Sequence, residues 1–429
     1  MDLLLPFLIL VLFFALGVPI AFSLGVAGIV GIFIVTGDLK TLLLMSGLTT
    51  FNSVASYTLT TIPMFTLMAF LSASGGLATK LFEAASNWVS NIRGGLAIAT
   101  VFACGVFGAM SGVSTAAASV MSEIAVPNMR RLGYSDVLTG GVVSVGATLD
   151  LLIPPSIAFV VYGVLTGTSI GKMLLAGVIP GIILGIFLTF CIFIWVTVRP
   201  QDAPKADRVS WSKRWRSLWG IWPSLTLIVM VMVLLYAGFA TPTEVGALGA
   251  FMSGLIGFIT RGLNWTKTLE ALKGTIRVSA MIFMIIIGGT LFGSFITQSG
   301  IPDKMIAVVT AMNLNRWIVI IAIVLSYFVI SMFMDEIPLM LIFLQLTFPL
   351  VIKLGFDPVW YGVVMGILIM MGMVFPPVGI ITFIVSGVGK IDLVKVYKGS
   401  SILIIAIFMT LVLIMIYPEI VLWLPSRMK

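Results

Sequence analysis

The sequence of 429 residues contains no histidine, two cysteines and only 9% charged residues. The missing histidine removes imidazole proton relays, haem ligation, HExxH metalloprotease chemistry and Ser-His triads together. Cys104 and Cys191 both lie in apolar segments, which leaves neither a disulfide framework nor a thiolate metal site. No GxxxxGKS/T run is present, so the chain offers no phosphate loop for ATP-driven work. The net charge of +8 sits in short segments between hydrophobic runs, with no aromatic-basic face around it. It reads as a topology signal and not as nucleic-acid binding.

What the chain has instead is apolar length. It is 60% hydrophobic, with charge-free runs at 3–37, 41–79, 173–198 and 217–243. A bilayer core takes about 20 residues to cross, and runs that are apolar all round do not suit the surface helices of a soluble protein. The expected class is therefore an all-α polytopic membrane protein. Residue 2 is Asp and the first run continues far beyond a signal-peptide core, so the N-terminus is expected to be a retained span.

Two copies of one unit are visible. "LGYSDVLTGGVV" (132–143) resembles "LGFDPVWYGVV" (354–364), and "LIPPSIAFVVYG" (152–163) resembles "VFPPVGIITFIVSG" (374–387), with the LG and PP pairs both displaced by 222 residues. Upstream, "SASGGLATKL" (72–81) matches "ITQSGIPDKM" (296–305), with the Ser-Gly pairs displaced by 225 residues. Arg130 and Arg131 precede the Pro-Pro span of the first copy and Lys172 follows it. In the second, Lys353 precedes and Lys390, Lys395 and Lys398 follow. The basic excess changes sides, which predicts inverted insertion with the connection 199–216, carrying six Lys or Arg, in the cytoplasm.

This charge pattern requires 94–130 and 317–352 each to enter and leave on one side, as re-entrant helical hairpins. The expected organisation is N-terminal helices over 1–61, a first inverted repeat over 62–172 with a broken span at 137–165, and helices over 173–277. A second repeat follows over 278–398, with a broken span at 359–388, and then a C-terminal helix over 399–429. In "VSWSKRWRSLWGIW" (209–222) the tryptophans 211, 215, 219 and 222 predict an amphipathic helix in the membrane interface. The alternative is an aromatic belt at the end of a span.

At membrane depth every backbone group needs a partner, so a broken helix is tolerated only where protein or a polar cavity covers it. Four breaks stand out: "GAMSGVS" (108–114), "GATLDLLIPPS" (146–156), "SMFMDEIP" (331–338) and "GMVFPPVG" (372–379). Freed carbonyls there suit a cation, and helix N-termini suit an anion. A carboxylate in a membrane segment is costly enough to need a partner, which makes Asp335 a candidate cation ligand. The competing role is helix capping, to which Glu336 is assigned. Asp150 raises the same question in the first repeat. Ser111, Gly112, Ser114 and Thr115 form a hydroxyl-rich kink that suits a ligand, or else close helix packing.

With these motifs in this order, "SGVSTAAASVMSEIAVPNMRRLGYS" (111–135), "LIPPSIAFVVYG", "MDEIP" (334–338), "LGFDP" (354–358) and "FPPVG" (375–379), the chain resembles the DctM-like family. These are the large membrane subunits of tripartite ATP-independent periplasmic (TRAP) transporters, and the likeness is strongest to the sialic acid members, SiaM. The resemblance implies a sodium-driven importer of the bacterial inner (cytoplasmic) membrane, with Na+ as coupling ion and no organic cofactor. It implies two protein partners, a small membrane subunit of four helices and a periplasmic substrate-binding protein. It also implies an elevator mechanism in which hairpins and broken spans move against a static scaffold. Carried over by position, sodium binding falls on Ser111, Gly112, Gly146, Thr148, Asp150, Ser331, Asp335 and Gly372. An organic acid, sialic acid (N-acetylneuraminate) by the resemblance, falls against Ser114, Thr115, Pro155, Ser156, Pro377 and Thr382. Family members often carry Gly-Pro where this sequence has Asp150-Leu151, a departure at the site itself.

Two other classes are weighed. A stand-alone sodium-coupled dicarboxylate carrier of similar hairpin architecture would need no binding protein. An intramembrane aspartyl protease would need a GxGD sequence, which is absent.

Overall fold

The computed structural model describes residues 2–204, 209–312 and 314–428, and these are helical throughout with no strand among them. In chain order the first helices are α1 (Leu5–Ala15), α2 (Ile20–Thr36), α3 (Leu39–Val54), α4 (Thr61–Ser74) and α5 (Leu77–Val89). Next come α6 (Gly95–Ser111), α7 (Ser114–Arg131), α8 (Asp136–Ala147), α9 (Ile157–Thr166), α10 (Ile170–Ala176) and α11 (Val178–Val198). The middle of the chain forms α12 (Trp211–Tyr236), α13 (Pro242–Ile259), α14 (Trp265–Gln298) and α15 (Ile301–Ala311). The last are α16 (Arg316–Ser331), α17 (Glu336–Lys353), α18 (Pro358–Val374), α19 (Ile380–Gly389), α20 (Leu393–Ile416) and α21 (Glu419–Leu422). Seven helical segments among the described residues are long and apolar enough to cross a membrane.

The repeat is visible in the helix ends. Helices α7 and α17 have 18 residues each, start 222 positions apart and carry an internal proline at equivalent places, Pro127 and Pro349. Helices α8 and α18 are capped by side chains at equivalent places too. Ser135 Oγ accepts from Leu138 N at 3.3 Å, and Asp357 Oδ1 accepts from Val359 N at 2.7 Å. Helix α18 stops at its Pro-Pro pair, while α8 ends at Ala147 and tightens into a 3-10 turn over Thr148–Leu151 before its own pair, since proline supplies no donor for a further helical turn. The chain resumes as α9, capped by Ser156, and as α19, which follows Gly379.

Small residues let the helices approach closely, as membrane interiors require. A Cβ added to Gly141 on α8 would lie 2.4 Å from the carbonyl carbon of Gly399 on α20, and one added to Gly288 on α14 would lie 2.1 Å from Ala21 O on α2. At the polar end of α8 the two repeats are tied by charge. Asp136 pairs with Arg130 at 2.8 Å and with Lys395 at 3.4 Å, while Arg130 also donates to Gly389 O at 3.0 Å and Lys390 O at 2.8 Å, closing the end of α19. The Arg130 hydrogen bond holds the Asp136 carboxyl below the usual carboxylate range. Its contribution is therefore present above about pH 4 and is lost as pH falls through the folded value. Asp136→Asn is expected to flatten the acid limb of thermal stability against pH. The effect should be below about 1 kcal/mol, since the pair is partly exposed.

Three expected boundaries are corrected. Residues 209–222 are not a separate interfacial helix but the first turns of α12, which runs on through Pro223 to Tyr236. Pro223 removes one backbone donor, but the apolar residues after it carry the helix onward. Trp211, Trp215, Trp219 and Trp222 are all exposed along its first turns, the pattern of a belt at a span's end. The 277/278 boundary falls inside α14, where no proline interrupts 265–298. The last long helix begins at Leu393 and not at 399, because Asp392 caps it through Lys395 N at 3.2 Å. Of the connection 199–216, residues 205–208 lie outside the described residues.

Candidate functional site

Both helix-break-helix units place their tips beside the broken span of their own repeat. In the first, α6 ends at Ser111 and is capped by Gly112, whose φ of +62° is a left-handed turn that a side chain resists. Gly112 O accepts from Ile157 N, at the start of α9, at 3.3 Å. In the second, Met332 O accepts from Gly379 N, beside α19, also at 3.3 Å. The arms touch the spans behind these contacts. A Cβ on Gly108 would lie 2.6 Å from Asp150 Cβ, and a Cβ on Gly372 would lie 1.9 Å from Ser331 Oγ. Asp150 and Gly372 are themselves 222 positions apart, so one repeat puts the acid on the span while the other puts a hydroxyl on the arm.

The tips meet through side chains. Ser114 Oγ donates to Asp150 Oδ1 at 2.6 Å and lies 3.5 Å from Glu336 Oε2. Ser114 and Glu336 are equivalent positions of the repeat, each opening its tip helix, and all three residues are buried. Beside them, Asp335 Oδ1 accepts from Glu336 N at 2.9 Å. The capping role assigned to Glu336 thus belongs to Asp335, because the residue before the first helical turn faces the free N–H groups, while Glu336 points into the contact with Ser114.

No basic side chain answers these carboxylates. Among the described residues the ion pairs are Arg130–Asp136 and Lys395–Asp136, and neither reaches Asp150, Asp335 or Glu336. The described residues hold no group of three or more His, Cys, Asp or Glu side chains that could hold a metal ion. A cation held at the tips would therefore draw on carbonyl and hydroxyl oxygens as well as carboxylate, the ligand set of a hard ion.

The other expected site residues divide. Ser111 ends α6 with its hydroxyl buried and without a hydrogen-bond partner among the described residues. With Thr115 it lines a cavity of about 340 Å³ that also touches Thr66, Phe70 and Ser119. Asp335 lines a larger cavity of about 870 Å³, bordered by Phe14, Pro19, Ile285 and Phe343. Met281 of α14 borders both, so each tip fronts a cavity and the two cavities share a wall.

Pro155 directs its carbonyl at Gly112, where an added Cβ would lie 2.5 Å away, and Ser156 caps α9. Gly146 packs instead against Cys104 of α6, and Thr148 Oγ1 donates to Val145 O at 2.9 Å. The contacts of both are with the hairpin arm and their own helix and not with a tip. Ser331 Oγ lies 2.8 Å from Phe328 O and 3.1 Å from Leu368 O. Pro377 O is met by the Tyr397 hydroxyl at 3.0 Å, and Thr382 donates to Gly379 O at 2.5 Å. Tyr397 and the Glu336 contact were not anticipated from the sequence. The 222-residue offset was the signal for the latter, since it maps Ser114 onto Glu336.

Comparison with known proteins agrees with this architecture. Residues 7–420 match the family model described as the tripartite ATP-independent periplasmic transporter, DctM component. The C4-dicarboxylate TRAP transporter large permease protein DctM of Pseudomonas aeruginosa is 33% identical over 410 residues, covering 94% of each chain. The sialic acid TRAP transporter large permease protein SiaM of Vibrio cholerae is 29% identical over 377 residues, covering 87% of this chain and 88% of that protein. Among solved structures, the YdaH transporter of Alcanivorax borkumensis, described as having an unusual topology, shares the fold. Its TM-score is 0.58 at 15% identity, over 91% of this chain and 89% of that one. A family match over nearly the whole chain, on a helical membrane protein with inverted repeats, places this protein in the DctM family: it is a multi-pass TRAP transporter large permease, not an enzyme, of a family that works with a small membrane subunit and a periplasmic binding protein.

Proposed function

We propose that the chain imports an organic acid across the bacterial inner membrane, driven by sodium entering with it. One observation carries the coupling. Buried carboxylates of the two repeats, Asp150 and Glu336, converge on one hydroxyl, with Asp335 adjacent and no basic partner within ion-pair distance among the described residues. A serine has one hydrogen to give, and at 2.6 Å it is committed to Asp150. Burying the remaining charge is costly unless a cation or proton joins it. Sodium bound there would draw the tips together and order the facing cavities for substrate. Substrate would in turn favour sodium by the same factor.

The substrate is received from the periplasmic binding protein, and a four-helix small subunit completes a scaffold against which hairpins and broken spans move as an elevator. Sialic acid remains the substrate favoured by the motif resemblance. A C4-dicarboxylate is the second reading, supported by the relative at 33% identity that carries that name. Membership of a tripartite family weighs against the stand-alone carrier. Proteoliposomes holding the chain with its small subunit, given labelled sialic acid or succinate, test the reading. Uptake of one acid that requires the binding protein is expected, and equal uptake without the binding protein would refute the tripartite mechanism.

A further inference from the structure

Away from the tips, three buried donor atoms lack acceptors at one place. Arg214, in the first turn of α12, is 7% exposed, and its Nε and Nη2 have no partner among the described residues. The indole Nε1 of Trp88, near the end of α5, is also buried without a partner. They belong to one cluster. Trp88 meets Trp211 edge-on at 6.4 Å and Trp215 at 5.7 Å between ring centres, and the Arg214 guanidinium lies 5.1 Å from the Trp211 ring centre. A guanidinium buried with unmet donors is among the least tolerable arrangements in a folded protein, since its desolvation goes unanswered. All the unmet atoms are donors, so the missing group is an acceptor with several oxygens and negative charge.

The surroundings say which acceptor. Trp88 borders an apolar groove of about 240 Å³ between α5, α6 and α12, lined further by Phe102, Val106, Leu218, Ile221 and Leu225. Residues 214, 218, 221 and 225 are spaced by four, three and four, so they share one face of α12. Arg214 therefore sits one turn, about 6 Å, beyond the groove-lining residues on the same stripe. A basic head joined to an apolar trough, ringed by exposed tryptophans, matches a phospholipid with a net negative headgroup. A soluble phosphate would satisfy the donors and leave the groove unused.

We propose that the α5–α12 junction is a binding site for one anionic phospholipid, its phosphate held by Arg214 and the Trp88 indole N–H and an acyl chain laid along the groove. The lipid would bridge α12 and the α5–α6 region, which leads into the first hairpin.

Delipidated full-length chain in a neutral detergent is titrated with dioleoylphosphatidylglycerol, dioleoylphosphatidylcholine or glycerol 1-phosphate. Bound lipid is read by native mass spectrometry and the unfolding midpoint by differential scanning fluorimetry. Phosphatidylglycerol is expected to bind and raise the midpoint, and the other two are not. Arg214→Gln should weaken that binding about tenfold or more, and Trp88→Phe less, by the loss of charge-assisted and neutral hydrogen bonds respectively. If Arg214→Gln does not fold, Trp88→Phe alone still decides between weakened and unchanged binding. Three outcomes overturn the proposal: unchanged phosphatidylglycerol binding in the variants that fold, equal binding of phosphatidylcholine, or an equal shift from glycerol 1-phosphate. A wild-type chain indifferent to every lipid would overturn it as well.

Discussion

Asp335→Asn is expected to lower sodium-dependent uptake by about a hundredfold while the chain still folds and assembles, the loss of one charged ligand to a desolvated cation. The substitution separates charge from shape. Asp335 caps α17 through Glu336 N at 2.9 Å, and Asn caps as well as Asp, so the second tip keeps its helix start. What disappears is the negative charge bordering the cavity of about 870 Å³. Asp335→Ala removes the cap as well and is expected to cost about 1 kcal/mol of stability in addition. A thermal-unfolding series beside the uptake assay distinguishes the two losses. Undiminished uptake by Asp335→Asn would remove Asp335 from the cation site.

Gly372→Val is expected to abolish uptake by a different route, through packing. An added Cβ would lie 1.9 Å from Ser331 Oγ and 2.4 Å from the Ser331 carbonyl carbon, so the hairpin arm α16 would have to leave α18. Crowding against backbone is not relieved by a rotamer change, and a cost of about 3 kcal/mol or more follows. The unfolding midpoint should fall together with the activity. Adding Ser331→Gly removes the hydroxyl and Cβ but not the carbonyl carbon, so it should restore stability only in part. Gly47→Ala on α3 is the control. Nothing lies within 4 Å of its added Cβ, and its effect should stay within about 0.5 kcal/mol. Equal behaviour of the two glycine variants would mean that the arm and the span are not held in this contact.

How much of this was legible in the sequence follows from which interactions are local. The breaks at 112, 154–155, 335 and 376–377 announce themselves through Gly, Pro and Asp, residues that end or start helices by their own chemistry. The 222-residue offset exposed the repeat, and the caps that the structure shows at Ser135 and Asp357 follow the same offset. The tryptophan spacing of 209–222 marks an interfacial stretch but does not fix where its helix ends, and a span with apolar flanks accommodates the one donor missing at Pro223. The 277/278 boundary was drawn from the repeat, and a continuous helix has no reason to respect a repeat boundary. Tyr397 reaches Pro377 and Val378 from twenty residues away in sequence, and Ser114 finds Glu336 across the pseudo-symmetry axis. Periodicity does not register contacts of that kind. The unmet donors of Arg214 and Trp88 likewise become visible only when α5 and α12 are side by side.

The measurement that bears most directly on cation coupling is the initial rate of binding-protein-dependent uptake against external sodium, at clamped membrane potential, with choline replacing sodium. Sodium coupling through Asp335 predicts a saturating rise with sodium, near-zero uptake in choline, and loss of the sodium response in Asp335→Asn. A rate that is the same in sodium and in choline would contradict it.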